Sequence, residues 1–324
     1  MNEDSLARNS PGDWSASAYC PSCSVVICTR DRPHHLERCL SALASLEYPR
    51  FEVLVVDNAP SDGRAREAAA RWDVRYTVEP APGLSRARNR GARESTGAIV
   101  AYLDDDAIAE PGWLASLAAE FSDPRVMAAA GRIIPLGVHS DEARLCAAAM
   151  DRGTVRLSFD RETPGWFAAA NFGGIGIGAN MAVRTRAIEF WSGFDSRLGR
   201  GARVPGGEEN YAFFELIAAG YRVVYAPAAV VAHHTPQNFS ELREQHLRML
   251  RDSGTYLAFL LLRRPDYRGA ILKLLLSGLV GKRAIQDSPA ARPKLRIVPR
   301  WRVALAVSRG FTLYTRSRLT PALP

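Results

Sequence analysis

The chain has 324 residues, 47% hydrophobic and 23% charged, an ordinary globular composition with room for one large α/β domain and an appendage. Its net charge of +8 is lopsided: residues 240–324 carry seventeen Lys and Arg against five Asp and Glu, while the rest is slightly acidic. No stretch reaches the roughly eighteen uninterrupted apolar residues of a membrane span, and no aromatic-interleaved or helix-turn-helix motif supports a nucleic-acid partner.

Met1 to Ala18 is polar, with no apolar core of the kind a signal peptide needs, and residues 1–22 are expected to be disordered. Of the five cysteines, only Cys20-Pro-Ser-Cys23 forms a close pair. A single C-x-x-C is weak evidence for zinc, and reduced thiols in a cytoplasmic protein are the expectation.

Ser24-Val-Val-Ile-Cys-Thr29 reads as a strand, followed by Arg30-Asp-Arg-Pro33 and an amphipathic helix with Leu36, Cys39, Leu40 and Leu43 inward. Phe51 to Val56 repeats the theme and ends in Asp57-Asn58, with Ser61 and Asp62 close behind. A helix over Arg64–Arg71, a strand over Val74–Val78 and a helix over Leu84–Glu94 follow. The strand Ala98-Ile-Val-Ala-Tyr-Leu then ends in Asp104-Asp-Asp106. Strands alternating with helices at this spacing specify a doubly wound α/β fold with a parallel sheet.

In such a sheet the polar strand ends, Thr29 to Arg32, Asp57 to Asp62 and Asp104 to Asp106, converge along one edge where ligands bind. Three adjacent carboxylates are tolerated when solvated or neutralised by a cation, so a divalent metal and a solvated capping loop are the two readings of the triplet. There is no G-x-G-x-x-G after the first strand and no G-x-x-x-x-G-K-[ST], which excludes the usual dinucleotide and P-loop sites.

Four pieces in order, Val25-Val-Ile-Cys-Thr-Arg-Asp-Arg-Pro33, Val53-Leu-Val-Val-Asp-Asn58, Gly83-Leu-Ser-Arg-Ala-Arg-Asn89 and Leu103-Asp-Asp-Asp106, resemble the nucleotide-binding half of family 2 glycosyltransferases of the GT-A fold. The resemblance implies an inverting transfer of a single sugar from a nucleoside-diphosphate sugar to a hydroxyl acceptor. The division expected is a nucleotide-binding half over 23–110, an acceptor-binding half over 111–239, and a basic helical extension over 240–324.

By the same resemblance, Thr29, Arg30, Arg32, Asp57, Asn58, Arg86, Arg88, Asp104 and Asp105 are the expected nucleotide contacts. Asp104, Asp106 and His233 of the run Ala232-His-His-Thr235 are the expected ligands of Mn²⁺ or Mg²⁺. Gly178, Asn180, Met181 and Trp166 are expected to border the donor sugar or acceptor. Glu208-Glu209, in Gly206-Gly-Glu-Glu-Asn-Tyr211, match the family's Glu-Asp pair, whose second acid is the general base. Read without the family, two acids in a first helical turn simply complement the helix dipole. The chain departs from the pattern at three points: Glu209 stands for Asp, Tyr211 for a frequent acid, and Glu215 where Arg is common.

Leu136 to Phe159 shows no clear period. Helices are expected over Glu241–Leu262 and Gly269–Val280. For the basic tail, three contacts are open: an anionic membrane at its inner face, the core, or a second copy in a homo-oligomer. A GT-A-like binding protein without turnover is the competing functional class. A nucleotidyltransferase is a further enzyme reading, but it lacks its glycine-rich loop after the first strand.

Overall fold

The structure, a computed structural model, describes residues 19–279 and 298–319. The disorder expected of residues 1–18, and the end of the helix expected to reach Val280, lie outside the described residues.

Elements follow in the order β1 (Cys23–Thr29), α1 (Pro33–Leu43), β2 (Phe51–Asn58), α2 (Arg64–Ala69), β3 (Arg75–Glu79), α3 (Leu84–Glu94), β4 (Ile99–Asp104), β5 (Ile108–Ala109) and α4 (Trp113–Glu120). Then come β6 (Val126–Pro135), α5 (Asp141–Met150), β7 (Leu157–Phe159), α6 (Trp166–Asn171), β8 (Asn180–Arg184), α7 (Thr185–Trp191), α8 (Glu208–Ala218) and β9 (Arg222–His233). The tail forms α9 (Phe239–Arg263), α10 (Arg268–Leu279) and α11 (Arg300–Leu319).

One sheet runs β3-β2-β1-β4-β8-β6-β9-β5, with β7 also on β9. The first four strands are parallel as expected. The parallel expectation stops there, because β8 lies antiparallel to both β4 and β6. A single twelve-residue strand, β9, runs over Arg222–His233 and closes this part of the sheet. In the aperiodic stretch after Leu136, α5 starts at Ser140, whose side chain accepts from the Ala143 N–H, with Asp141 and Glu142 in the first turn.

Strand alternation sorts the apolar residues into two cores. Val26, Leu54, Val56, Val100 and Tyr102 face one layer with α3, α8 and α9. Val25, Ile27, Val53, Val55, Ala101 and Leu103 face the other, with Leu36 and Leu40 of α1 and Trp113 and Leu117 of α4. The sheet edge is therefore approached by α1 from one side and by α3 and α8 from the other.

The basic tail packs on the first core. Tyr256, Leu257, Phe259 and Leu260 of α9, Ile271 of α10 and Tyr314 of α11 belong to it. Helices α9 and α11 cross with their backbones in contact: a Cβ on Gly254 would lie 2.1 Å from the Val307 carbonyl oxygen, and one on Gly310 1.9 Å from that of Arg251. Only glycine permits this approach. Tyr314 meets Phe259 edge-on, and Phe259 meets Tyr211 of α8 in the same way. Glu215 of α8 accepts from Arg264 just past α9. Two of the three departures from the family pattern, Tyr211 and Glu215, thus dock the tail helix. Among the described residues, no helix is long and apolar enough to cross a membrane.

Candidate active site

Strand register gathers the acids. In the parallel block Thr29 stands opposite Asp57 and Cys28 opposite Asp104, so β1, β2 and β4 end at one level. Across the sheet, β9 ends at His233, beside Pro135 of β6. One ligand atom each from Asp104, Asp106 and His233 lies within 4.8 Å of the others, the grouping expected for a cation.

The acids of the triplet differ in their surroundings. Asp105 is buried and accepts from Thr29 Oγ1 at 2.8 Å and Arg32 Nη1 at 2.6 Å. Burial pushes its carboxyl up to about 6, against the lowering influence of Thr29 and Arg32. Asp105 and Thr29 are turned toward each other inside the protein. Arg32 also donates to Asp106 Oδ2 at 2.8 Å and so braces the triplet.

For Asp106, burial opposes ionisation, but the His233 ring and the Arg32 guanidinium outweigh it and hold the carboxyl below the usual range. His233 responds in kind: burial opposes its protonation, and Asp106 beside it raises it nonetheless. His233 Nδ1 lies 2.9 Å from the His234 carbonyl oxygen, which can only accept. The proton thus sits on Nδ1, and in the neutral ring Nε2 turns its lone pair to Asp106 Oδ1, 3.0 Å away. In the protonated ring the two atoms form an ion pair. Once that proton is gone, Nε2 and Oδ1 are acceptors that face each other with Asp104 alongside, a donor set that fits a divalent cation in the proton's place.

On the opposite face, Arg88 is nearly fully buried. Its guanidinium donates to Glu208 Oε1 at 2.8 Å, to the Gly178 carbonyl at 3.0 Å and to Asp104 Oδ1 at 3.4 Å. The Phe194 and Tyr102 rings lie 5.6 and 6.0 Å away. A Cβ on Gly178 would come within 2.5 Å of Arg88 Nη2, so this residue makes room for the guanidinium. One cation therefore joins the carboxylate triplet to the first turn of α8.

There the two glutamates part. Glu208 is buried in the pair with Arg88, its Oε2 unpartnered. Glu209 makes no ion pair among the described residues, and burial together with the neighbouring Glu208 charge raises its carboxyl well above the usual range, against the lowering pull of Arg88.

Asp57 lies fully buried at the end of β2. Tyr76 of β3, a residue sequence reasoning missed, donates to its Oδ2 at 2.7 Å, while Oδ1 has no partner. Burial raises this carboxyl as well. Asn58 is committed elsewhere, its amide donating to the Glu79 and Ala81 carbonyls and accepting from the Gly83 N–H. Arg30 and Arg86 are exposed.

The expected sugar contacts are redistributed. Asn180 is fully buried in β8, where its amide accepts from Trp113 and donates to the Arg132 and Ala229 carbonyls. Met181 is buried in the sheet core. Trp166 is half-buried, stacked on Phe214 and edge-on to Tyr267, and joins α6 to α8 and the turn after α9. None of these three side chains is gathered with the triplet.

A GT-A glycosyltransferase fold with a cluster of acids at its strand ends is the class this arrangement defines, and comparison with known proteins agrees. The family described as "Glycosyl transferase family 2" matches residues 24–190, just over half of the chain. This chain belongs to that family. An N-acetylglucosaminyltransferase of Mesorhizobium japonicum is 28% identical over 78% of this chain and 61% of its own length. The succinoglycan biosynthesis protein ExoM of Rhizobium meliloti is 28% identical over 72% of this chain and 73% of its own. A pre-mycofactocin glycosyltransferase of Mycobacterium tuberculosis is 30% identical over 75% and 48%. The chain thus spans only 61% and 48% of the first and third of these relatives. In fold it is similar to the mannosyltransferase PcManGT from Pyrobaculum calidifontis, solved in complex with GDP-Man and Mn²⁺, with a TM-score of 0.57 at 20% identity, covering 94% of this chain and 77% of that one.

Proposed function

We propose that this chain transfers one hexosyl residue from a nucleoside-diphosphate sugar to an acceptor hydroxyl, with inversion at the anomeric carbon, and that it requires Mn²⁺ or Mg²⁺. The observation that carries the reading is the convergence of Asp106 Oδ1 and His233 Nε2 on one point beside Asp104. These three side chains would hold the cation. When bound, it offsets charge developing on the leaving diphosphate.

The chain's own groups do the rest. Asp57 offers its unpartnered Oδ1 to an N–H of the nucleobase, and Tyr76 fixes the other oxygen. Glu209 takes the proton of the acceptor hydroxyl as that oxygen bonds to the anomeric carbon and the bond to the diphosphate breaks. Its raised proton affinity suits the task, and Glu208, locked to Arg88, sets the position of the helix turn. The named N-acetylglucosaminyl and mannosyl activities of the similar proteins support a hexose donor.

For the tail we propose peripheral contact with an anionic membrane. Trp301 and Leu305 are exposed one helical turn apart on α11, with exposed Arg302 and Arg309 beside them.

A thermal-shift screen of UDP-, GDP-, dTDP- and CDP-sugars with and without Mn²⁺, followed by donor hydrolysis with the best donor, tests the reading. Stabilisation that needs both nucleotide and cation, with slow release of sugar to water, is expected. Stabilisation without any hydrolysis would favour a binding protein, and no response to any donor would end the proposal.

A further inference from the structure

Helix α8 begins at Gly207, which takes a left-handed φ of +85° and supplies no side-chain cap, so nothing on the cap residue itself fixes the turn that carries Glu208 and Glu209. What lies against it is Tyr256 of α9. A Cβ on Gly207 would stand 2.7 Å from Cδ2 and 3.0 Å from Cγ of that ring, so backbone and ring are in direct contact. The Tyr256 hydroxyl donates at 2.8 Å to Asn171 Oδ1 at the end of α6, and Asn171 in turn donates to the Phe167 carbonyl at 2.8 Å. Both side chains are buried, and Phe259 stacks on the ring at 6.2 Å. Burial, with Tyr211 and Glu209 close by, pushes the phenol well above its usual range, so it stays a donor.

A ring that only filled space could be exchanged for any apolar side chain of similar size. This one is held at its hydroxyl by α6 and meets Gly207 with its carbon edge, which leaves it one orientation. Glu208 is held by Arg88, but Glu209 has no ion pair among the described residues, so its carboxyl, standing on two methylenes, follows the backbone of the turn. We propose that Tyr256 is a positioning residue for the transfer: it fixes the Gly207 backbone between α6 and α9, and so sets where the Glu209 carboxyl stands relative to the acceptor hydroxyl. The role is indirect, and it rests on the proposed function in one respect, that Glu209 is the proton acceptor. A misplacement of about 1 Å at such a group can cost about 100-fold in rate, so a contact behind the turn is enough to matter.

The test is a double-mutant cycle on the full chain, read as hydrolysis, with Mn²⁺ and with water as acceptor, of whichever UDP-, GDP-, dTDP- or CDP-sugar stabilises the protein most. Tyr256→Phe keeps the ring and loses the hydrogen bond to Asn171; it should lower kcat by about three- to tenfold with the donor KM within about twofold of wild type, and Tyr256→Leu should lower kcat further. In a Glu209→Gln background, where the base is gone, Tyr256→Phe should change the residual rate by less than about twofold. Denaturation midpoints show which variants are folded, and Tyr256→Phe decides alone where Tyr256→Leu is not. An equal loss in both backgrounds, a KM that rises in step, or wild-type kcat in Tyr256→Phe overturns the positioning role and leaves Glu209 as the base. Wild-type turnover by Glu209→Gln, or no hydrolysis by the wild type, removes the proton acceptor and the inference with it.

Discussion

Arg88 Nη1 and Glu208 Oε1 meet at 2.8 Å inside the protein, and the same guanidinium reaches Asp104. The carboxylate triplet on β4 and the first turn of α8 therefore share one buried positive charge. Removing it leaves Glu208 buried and unpaired, a situation that costs about 3–5 kcal/mol in comparable pairs. Arg88→Ala should lower the denaturation midpoint accordingly. Arg88→Lys should recover part of the stability but little of the transfer, because an ammonium cannot span three acceptors. Chemical denaturation of the two variants beside their turnover numbers checks this; equal turnover by Arg88→Lys and wild type would remove the bridging role.

The meeting of Asp106, just past β4, with His233 at the end of β9 predicts the cation dependence. Asp106→Asn and His233→Ala should each weaken Mn²⁺ binding by about 100-fold or more while the chain stays folded. Electron paramagnetic resonance of free Mn²⁺ measures this directly. Unchanged affinity in both variants, or full transfer by wild type in EDTA, would sink the assignment.

Glu209 sets the pH dependence. A base must be deprotonated to act, and burial with the adjacent Glu208 charge raises its carboxyl. The acidic limb of kcat/KM should therefore lie above the ordinary carboxylate range, with activity rising as pH climbs through the raised value. Because the Arg88 charge pulls that value down, Arg88→Gln should move the limb to higher pH. Glu209→Gln should retain donor binding and lose transfer by about 10²–10⁴-fold. A limb near pH 4 in wild type, or wild-type turnover by Glu209→Gln, would point to another base.

At the far end of the strand edge, Asp57 and Tyr76 predict a split between binding and chemistry. Asp57→Asn should raise the donor KM by about 10–100-fold, as loss of a hydrogen bond to a charged group does, with kcat nearly unchanged. Tyr76→Phe should raise it only a few-fold, about 1 kcal/mol or less. A large kcat effect with constant KM would place Asp57 in the chemistry instead.

The first four strands, α1 and α3 were legible in the sequence because each couples a periodic apolar pattern to a polar end. Asp104 and Asp106 could be named because residues at strand ends converge in an open sheet whatever its loops do, and His233 because the family resemblance pointed to it. Asn180 and Met181 could not be placed, since a glycine-dense segment has no period to reveal that β8 turns back against β4. The burial of Arg88 was not legible because Leu84–Glu94 carries four arginines, and charge alone does not say which one points inward. Its small neighbours Ala87 and Gly91 mark the buried face of α3 and were the available signal. Helix α5 was missed for want of a period, although Ser140-Asp-Glu had the form of a cap.

The aromatic relay Tyr314–Phe259–Tyr211 runs from the last helix to the helix that begins with Glu208 and Glu209. The basic tail is consequently a strut for the first turn of α8 as well as an outer surface. Shortening the chain before Arg300 would uncover the Gly254 seam and release Phe259 from one of its neighbours, so a trimmed protein would report on a different enzyme from the one that keeps α11.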